Sequence, residues 1–83
     1  MKYFTIGELT NSATAKSLNV SNSPSLEVVE NLTRLIETIL DPLREAYGHP
    51  VTVTSGFRTP ELNKILKGSP TSQHVRGEAA DLI

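Results

Sequence analysis

Ser72-Gln73-His74-Val75-Arg76-Gly77-Glu78-Ala79-Ala80-Asp81 is the stretch on which the reading of the chain turns. It has the form Ser-x-His-x-x-Gly-x-Ala-x-Asp and sets an imidazole and a carboxylate among small residues. A neutral imidazole and a carboxylate are mixed N/O donors of the kind a divalent zinc accepts. His74 falls in a polar loop, Val75-Arg76-Gly77 allows a turn, and residues 78–83 read as a strand. Side chains alternate along a strand, so Ala79, Asp81 and Ile83 share one face. Small Ala79 then leaves room beside Asp81 for an ion that His74 reaches across the turn. The same alternation puts Glu78 on the opposite face and removes it as a general base at that ion. Taken without its surroundings, the pair also reads as a surface-loop histidine and a strand-end carboxylate. A catalytic zinc takes three protein ligands, and this motif carries only His74 and Asp81.

Upstream, Ser69-Pro70-Thr71-Ser72-Gln73 is a loop that delivers His74. The Ser72 hydroxyl either serves a ligand or closes the turn. Thr59-Pro60 opens a helix with a capping hydroxyl and a proline at the first position, predicted over residues 61–67 and stopped by Gly68. Ser55-Gly56-Phe57-Arg58 is a tight turn leaving Val51-Thr52-Val53-Thr54, a short β-branched strand that turns Val51 and Val53 toward a helix. Arg58 therefore stands between a strand end and a helix start. A guanidinium there grips a carboxylate with two parallel bonds or stabilises an oxyanion. The plainer alternative is a surface arginine paired with Glu61 or Asp81.

The longest element precedes that strand. Leu26, Val29, Leu32, Ile36, Ile39, Leu40, Leu43 and Tyr47 recur at the spacing of a buried helical stripe, predicting a helix over residues 25–47. Ser23 or Ser25 caps it, and Pro24 suits a first helical position. Pro42 removes one backbone bond and predicts a kink, and Gly48 ends the helix. His49 is the only other histidine. Just past a helix C-terminus it reads as an imidazole favoured by the helix dipole and the free carbonyls, not as a third ligand. At the N-terminus, Thr5 with Glu8 forms a capping box for one short helix, and Ser12 caps a second over residues 13–18. This lead-in either walls a cleft or folds Phe4, Ile6, Leu9 and Leu18 back over the core; the covering role is the expectation.

Ser55-Gly56-Phe57-Arg58-Thr59-Pro60-Glu61-Leu62-Asn63, followed by Ser72-x-His74-x-x-Gly77-x-Ala79-x-Asp81, resembles the zinc D-alanyl-D-alanine carboxypeptidases of peptidase family M15. The likeness covers residues 51–83, with a looser one in the helix before them, and both motifs match at their defining positions in the family's order. The resemblance implies Zn2+ held by His74 and Asp81, substrate held by Arg58 and Ser72, Arg58 also serving catalysis, and a peptidoglycan peptide as substrate. It also implies a third ligand, a histidine, with a Glu or Asp general base shortly before it, both beyond Asp81. The chain therefore reads as the N-terminal part of one M15-like domain over residues 1–83, expected to bind zinc weakly and to hydrolyse little by itself. Two other functions share the pattern: a non-catalytic wall- or protein-binding module of hedgehog type, and a phage endolysin endopeptidase cutting a different wall bond.

Length and composition are consistent with a small part. Eighty-three residues bury a limited core, and with no cysteine there is neither a disulfide staple nor a thiolate ligand. A net charge of −1 with interspersed signs argues against nucleic acid held on a basic face. No apolar run is long enough to span a membrane, and the first residues lack the apolar core of a signal peptide. The compartment stays open between the cytoplasm and release by phage lysis. The predicted fold is α+β: a long kinked helix on a small antiparallel sheet, incomplete at the C-terminus, with the site at the end of the sheet. A sheet of two strands has unpaired edges, which motivates self-association through strand pairing.

Overall fold

The computed structural model describes residues 1–83. It is α+β, with a 22-residue helix and a two-stranded antiparallel sheet. Two short helices come first, α1 (Ile6–Thr10) and α2 (Ala13–Ser17). Thr5 and Ser12 cap them through their hydroxyls, accepting from the Glu8 and Ala15 N–H groups. The long helix runs as α3 (Leu26–Leu35), a π turn (Ile36–Leu40) and α4 (Asp41–Tyr47). Ser25 is its N-cap, so Pro24 lies before the helix and not in its first turn. Gly48 closes it in the left-handed conformation at φ 80°.

The π turn is how the helix accommodates Pro42. A proline ring clashes with the carbonyl four residues back, and Pro42 has no N–H to offer Thr38. The turn before it widens instead, and the Asp41 N–H donates to the Ile36 carbonyl, five residues back. One extra residue per turn rotates everything downstream around the axis. Downstream of the turn, Leu43 and Tyr47 of the predicted stripe are exposed; the buried face is Leu32, Leu35, Ile36 and Leu40, and Leu26 in the first turn and Ile39 are exposed as well.

Phe4, Leu9 and Phe57 complete one buried cluster with those helix residues, and Val51, Val53, Ala80 and Leu82 pack on its margin. The N-terminal lead-in covers this core through Phe4 and Leu9, with Ile6 half-buried; Leu18 is exposed. A carboxylate ties the lead-in down. Asp41 accepts from the backbone N–H groups of Lys2 (2.7 Å), Tyr3 (3.0 Å) and Phe4 (3.3 Å). Burial pushes the Asp41 pKa up, but these three donors outweigh it and hold the carboxyl below its ordinary value. One turn on, Glu45 accepts from the Tyr3 hydroxyl and from Lys2 Nζ, which lowers the Glu45 pKa and raises that of Lys2.

The sheet pairs β1 (Val53–Ser55) with β2 (Asp81–Leu82). Both strands are shorter than their sequence patterns, though Thr52 and Ile83 exchange two further backbone bonds of 3.2 and 2.9 Å. Val53 faces Leu82 and Ser55 faces Asp81, so the register slips by one residue at Thr54, as in a β-bulge. Leu82 is half-buried against the core while Asp81 and Ile83 are exposed, so the alternation holds at the strand end; Ala79 lies before β2. Helix α5 (Pro60–Ile65) is capped by Thr59 and ends earlier than its pattern, because Lys67 and not Gly68 takes the left-handed turn, at φ 59°. No helix is long and apolar enough to cross a membrane.

Candidate functional site

The turn that leaves β1 is fixed at almost every backbone group. The Phe57 N–H donates to the Leu9 carbonyl (2.6 Å) and the Arg58 N–H to the His74 carbonyl (3.1 Å). Gly56 lies so close to α1 that any Cβ there would fall on the Leu9 carbonyl, which is why the position takes glycine. The Gly56 carbonyl in turn accepts from His74 Nδ1 at 2.7 Å. A carbonyl can only accept, so Nδ1 carries a proton here, and in the neutral imidazole the lone pair is then on Nε2.

A short 3₁₀ turn over Gln73–Arg76 carries His74. Ser72 caps it, its hydroxyl accepting from the His74 N–H at 3.2 Å, and Gly77 ends it in the left-handed conformation at φ 74°. The chain then reverses into β2 and brings Asp81 back toward the imidazole. His74 Nε2 lies 3.5 Å from Asp81 Oδ2, with the imidazole 13 % exposed and the carboxylate 65 %. That separation is long for a direct hydrogen bond. It is close to the roughly 3.3 Å edge between two donors on a tetrahedral zinc with bonds of about 2.0–2.1 Å. The pair thus fits two corners of such a site. No three His, Asp or Glu side chains converge anywhere in the chain.

Arg58 faces a cleft of about 350 Å³. One wall is β1 and the turn after it; the other is Asn11, Ser12, Ala13 and Thr14, at the junction of α1 and α2. The N-terminal lead-in therefore covers the core with one side and walls this cleft with the other. Arg58 makes no ion pair with Glu61 or Asp81, and its Nε is enclosed without a hydrogen-bond partner. Enclosed polar groups are ordinarily satisfied, and this Nε is an exception. His74 and Asp81 do not line the cleft. Ser72 lies apart from it, in a groove with Pro70, Thr71 and Arg76. His49 is exposed and packs edge-on against Tyr47 at 5.5 Å. Glu78 pairs with Arg76 Nε at 3.0 Å and faces the groove along Asn31 and Arg34.

Asn22 belongs to this site and was not singled out by sequence pattern. Its carboxamide bonds the backbone on both sides of Arg58, at Phe57 and Thr59. In sequence it sits in Ser21-Asn22-Ser23-Pro24-Ser25, where an asparagine reads as turn composition. The partners are 35 and 37 residues away, so no local signal marks them.

The helix-on-sheet core thus holds a histidine–carboxylate pair and, apart from it, a cleft that Arg58 helps to line. The family described as Peptidase M15 matches residues 2–83, and the chain belongs to that peptidase family. No curated protein and no solved structure gives a significant match.

Proposed function

We propose that this chain supplies the substrate-gripping arginine and two zinc ligands of a peptidoglycan peptidase of the D-alanyl-D-alanine carboxypeptidase type. One observation carries the reading: the Gly56 carbonyl holds the Nδ1 proton of His74 and leaves Nε2 free, 3.5 Å from Asp81 Oδ2. That is how a metal-binding histidine is oriented by its second contact. His74 and Asp81 would hold Zn2+, which when bound polarises a peptide carbonyl and acidifies a water. Arg58 binds the terminal carboxylate of the peptide; its place on the cleft and its lack of an ion pair within the chain support that role. Ser72 caps the turn that carries His74 and lines a groove beside it, which supports a part for its hydroxyl in holding substrate. With only two converging donors, the chain by itself binds zinc weakly and turns over little.

A second reading rests on the same pair and cleft: a module of hedgehog type that binds wall peptide or protein without cutting it. Calorimetric zinc titration of the chain beside His74→Ala and His49→Ala tests the first. Binding abolished in His74→Ala and retained in His49→Ala is the expected outcome; binding untouched by His74→Ala would overturn it. Release of D-alanine from a wall peptide separates the two readings once a third ligand and a carboxylate base are supplied in cis or in trans. The enzyme gains zinc-dependent turnover, and the module does not.

A further inference from the structure

We infer that Asn22 is a positioning residue for Arg58 and sets the width of the cleft that Arg58 faces. The inference rests on the reading of Arg58 as the carboxylate-binding group. Asn22 lies half-buried in the loop between α2 and α3. Its Nδ2 donates to the Thr10 carbonyl at 2.9 Å and to the Phe57 carbonyl at 3.0 Å, and its Oδ1 accepts from the Thr59 N–H at 2.9 Å. Both donors of the carboxamide and its carbonyl oxygen are in use. The arrangement reads in one orientation only, since a flipped amide would set its oxygen against two carbonyls and its NH2 against an N–H.

These bonds bracket Arg58. The carbonyl before it and the amide after it are held by one side chain, and its own N–H is held by the His74 carbonyl at 3.1 Å. The remaining bond reaches Thr10, the last residue of α1, which precedes Asn11 on the opposite wall of the cleft. One carboxamide therefore joins the two walls and fixes the backbone from which the guanidinium is aimed. Aspartate is the same size but has no donors and would place a charge against two carbonyl oxygens. Glutamine adds a methylene to a span already closed by bonds of 2.9–3.0 Å. Asparagine alone meets the three partners at this reach.

The test is an NMR titration of the full chain with N-acetyl-D-alanyl-D-alanine and, separately, with its C-terminal amide. Wild type, Arg58→Ala, Asn22→Ala and the double variant are compared. Wild type should prefer the free carboxylate, and Arg58→Ala should lose the preference. Asn22→Ala should weaken the carboxylate peptide roughly tenfold, leave the amide nearly unchanged, and add nothing in the Arg58→Ala background, the non-additivity of groups that act through one another. A purely structural role would weaken both peptides alike and add to the Arg58→Ala effect, and that result overturns the inference. If wild type does not discriminate carboxylate from amide, the reading of Arg58 fails and this inference falls with it. If wild type discriminates and Asn22→Ala still does, only the role of Asn22 falls. Should Asn22→Ala not fold, the unsubstituted chain decides. The Asn22 side-chain NH2 and Thr59 amide resonances should shift with the carboxylate peptide and not with the amide, and unmoved resonances overturn the inference.

Discussion

Replacing Gly56 by alanine adds a single methyl group where α1 touches the turn after β1. The new Cβ would fall on the Leu9 carbonyl and lie 2.9 Å from Leu9 Cα, inside any real contact distance. Both partners are backbone, so no side-chain rotamer relieves the clash. Either α1 moves off the turn, or the Gly56–Phe57 peptide rotates away and the 2.6 Å bond from the Phe57 N–H to Leu9 breaks. Overpacking of this kind costs about 1–3 kcal/mol. Leaving a buried N–H without its acceptor costs about 1–3 kcal/mol more. The whole domain is worth only about 4–12 kcal/mol at 0.05–0.15 kcal/mol per residue. Gly56→Ala should therefore lower Tm by at least about 8 °C in a circular-dichroism melt, at roughly 4–8 °C per kcal/mol for a domain of this size. The matched control is Gly7→Ala. Gly7 lies inside α1, and a Cβ there would meet only Thr5 Oγ1, at 3.7 Å. That variant should gain about 0.5–1 kcal/mol, because alanine is the better helix former. The Gly56 carbonyl also orients His74, so zinc affinity should fall in Gly56→Ala and not in Gly7→Ala. A Gly56→Ala chain melting within about 2 °C of wild type would refute the reasoning, since even 1 kcal/mol moves Tm by more.

Asp41→Asn removes the charge that gathers the three N-terminal backbone donors and should cost about 1–3 kcal/mol at pH 7, measured by urea unfolding. Because the folded Asp41 pKa is lowered, its contribution is complete above the ordinary value of 3.8 and is lost as pH falls through the lower folded value. Wild type should lose more stability between pH 5 and pH 2 than Asp41→Asn does; equal losses would count against the tether. Leu35→Ala should cost about 2–5 kcal/mol and Leu43→Ala under about 0.5 kcal/mol, because Leu35 is 9 % exposed and Leu43 50 %. Equal effects would place the buried face where the unbroken stripe puts it. The outer edges of the two-stranded sheet should support concentration-dependent association. A strictly monomeric sedimentation profile at high concentration would rule that out.

The helix caps were legible because capping is local chemistry. Thr5, Ser12, Ser25 and Thr59 each lie within three residues of the N–H they accept from, so a hydroxyl before an apolar run is sufficient signal. The phase of the long helix was not legible for the opposite reason. A stripe with a period of 3.6 assumes that every turn has the same width, and Pro42 enlarges the turn before it. Leu26 to Leu32 and Leu40 to Tyr47 cannot then be read on one wheel. Leu35 is buried and Leu43 is not, although Leu43 is the residue the periodicity favours. The bulge at Thr54 is hidden in the same way, because a register exists only between two strands.

The site divides along the same line. The Ser-x-His and Ala-x-Asp segments carry their side chains in a pattern that is visible in one dimension, and the 3₁₀ turn with left-handed Gly77 is what makes the pattern necessary. It reverses the chain between His74 and Asp81 so that the two meet at 3.5 Å. What the pattern does not carry is the floor beneath them. His74 takes its tautomer from the Gly56 carbonyl, Gly56 takes its place from Leu9, and the turn that follows is held by Asn22; each link joins segments at least 18 residues apart or different elements altogether. The donors of this site, and Gly56 beneath His74, are thus written in its motifs, while the aim of Arg58 also depends on Asn22, which local composition presents as an ordinary turn residue. Asn22→Ala, which spares every motif residue, should therefore loosen the aim of Arg58 while the His74–Asp81 pair stays in place.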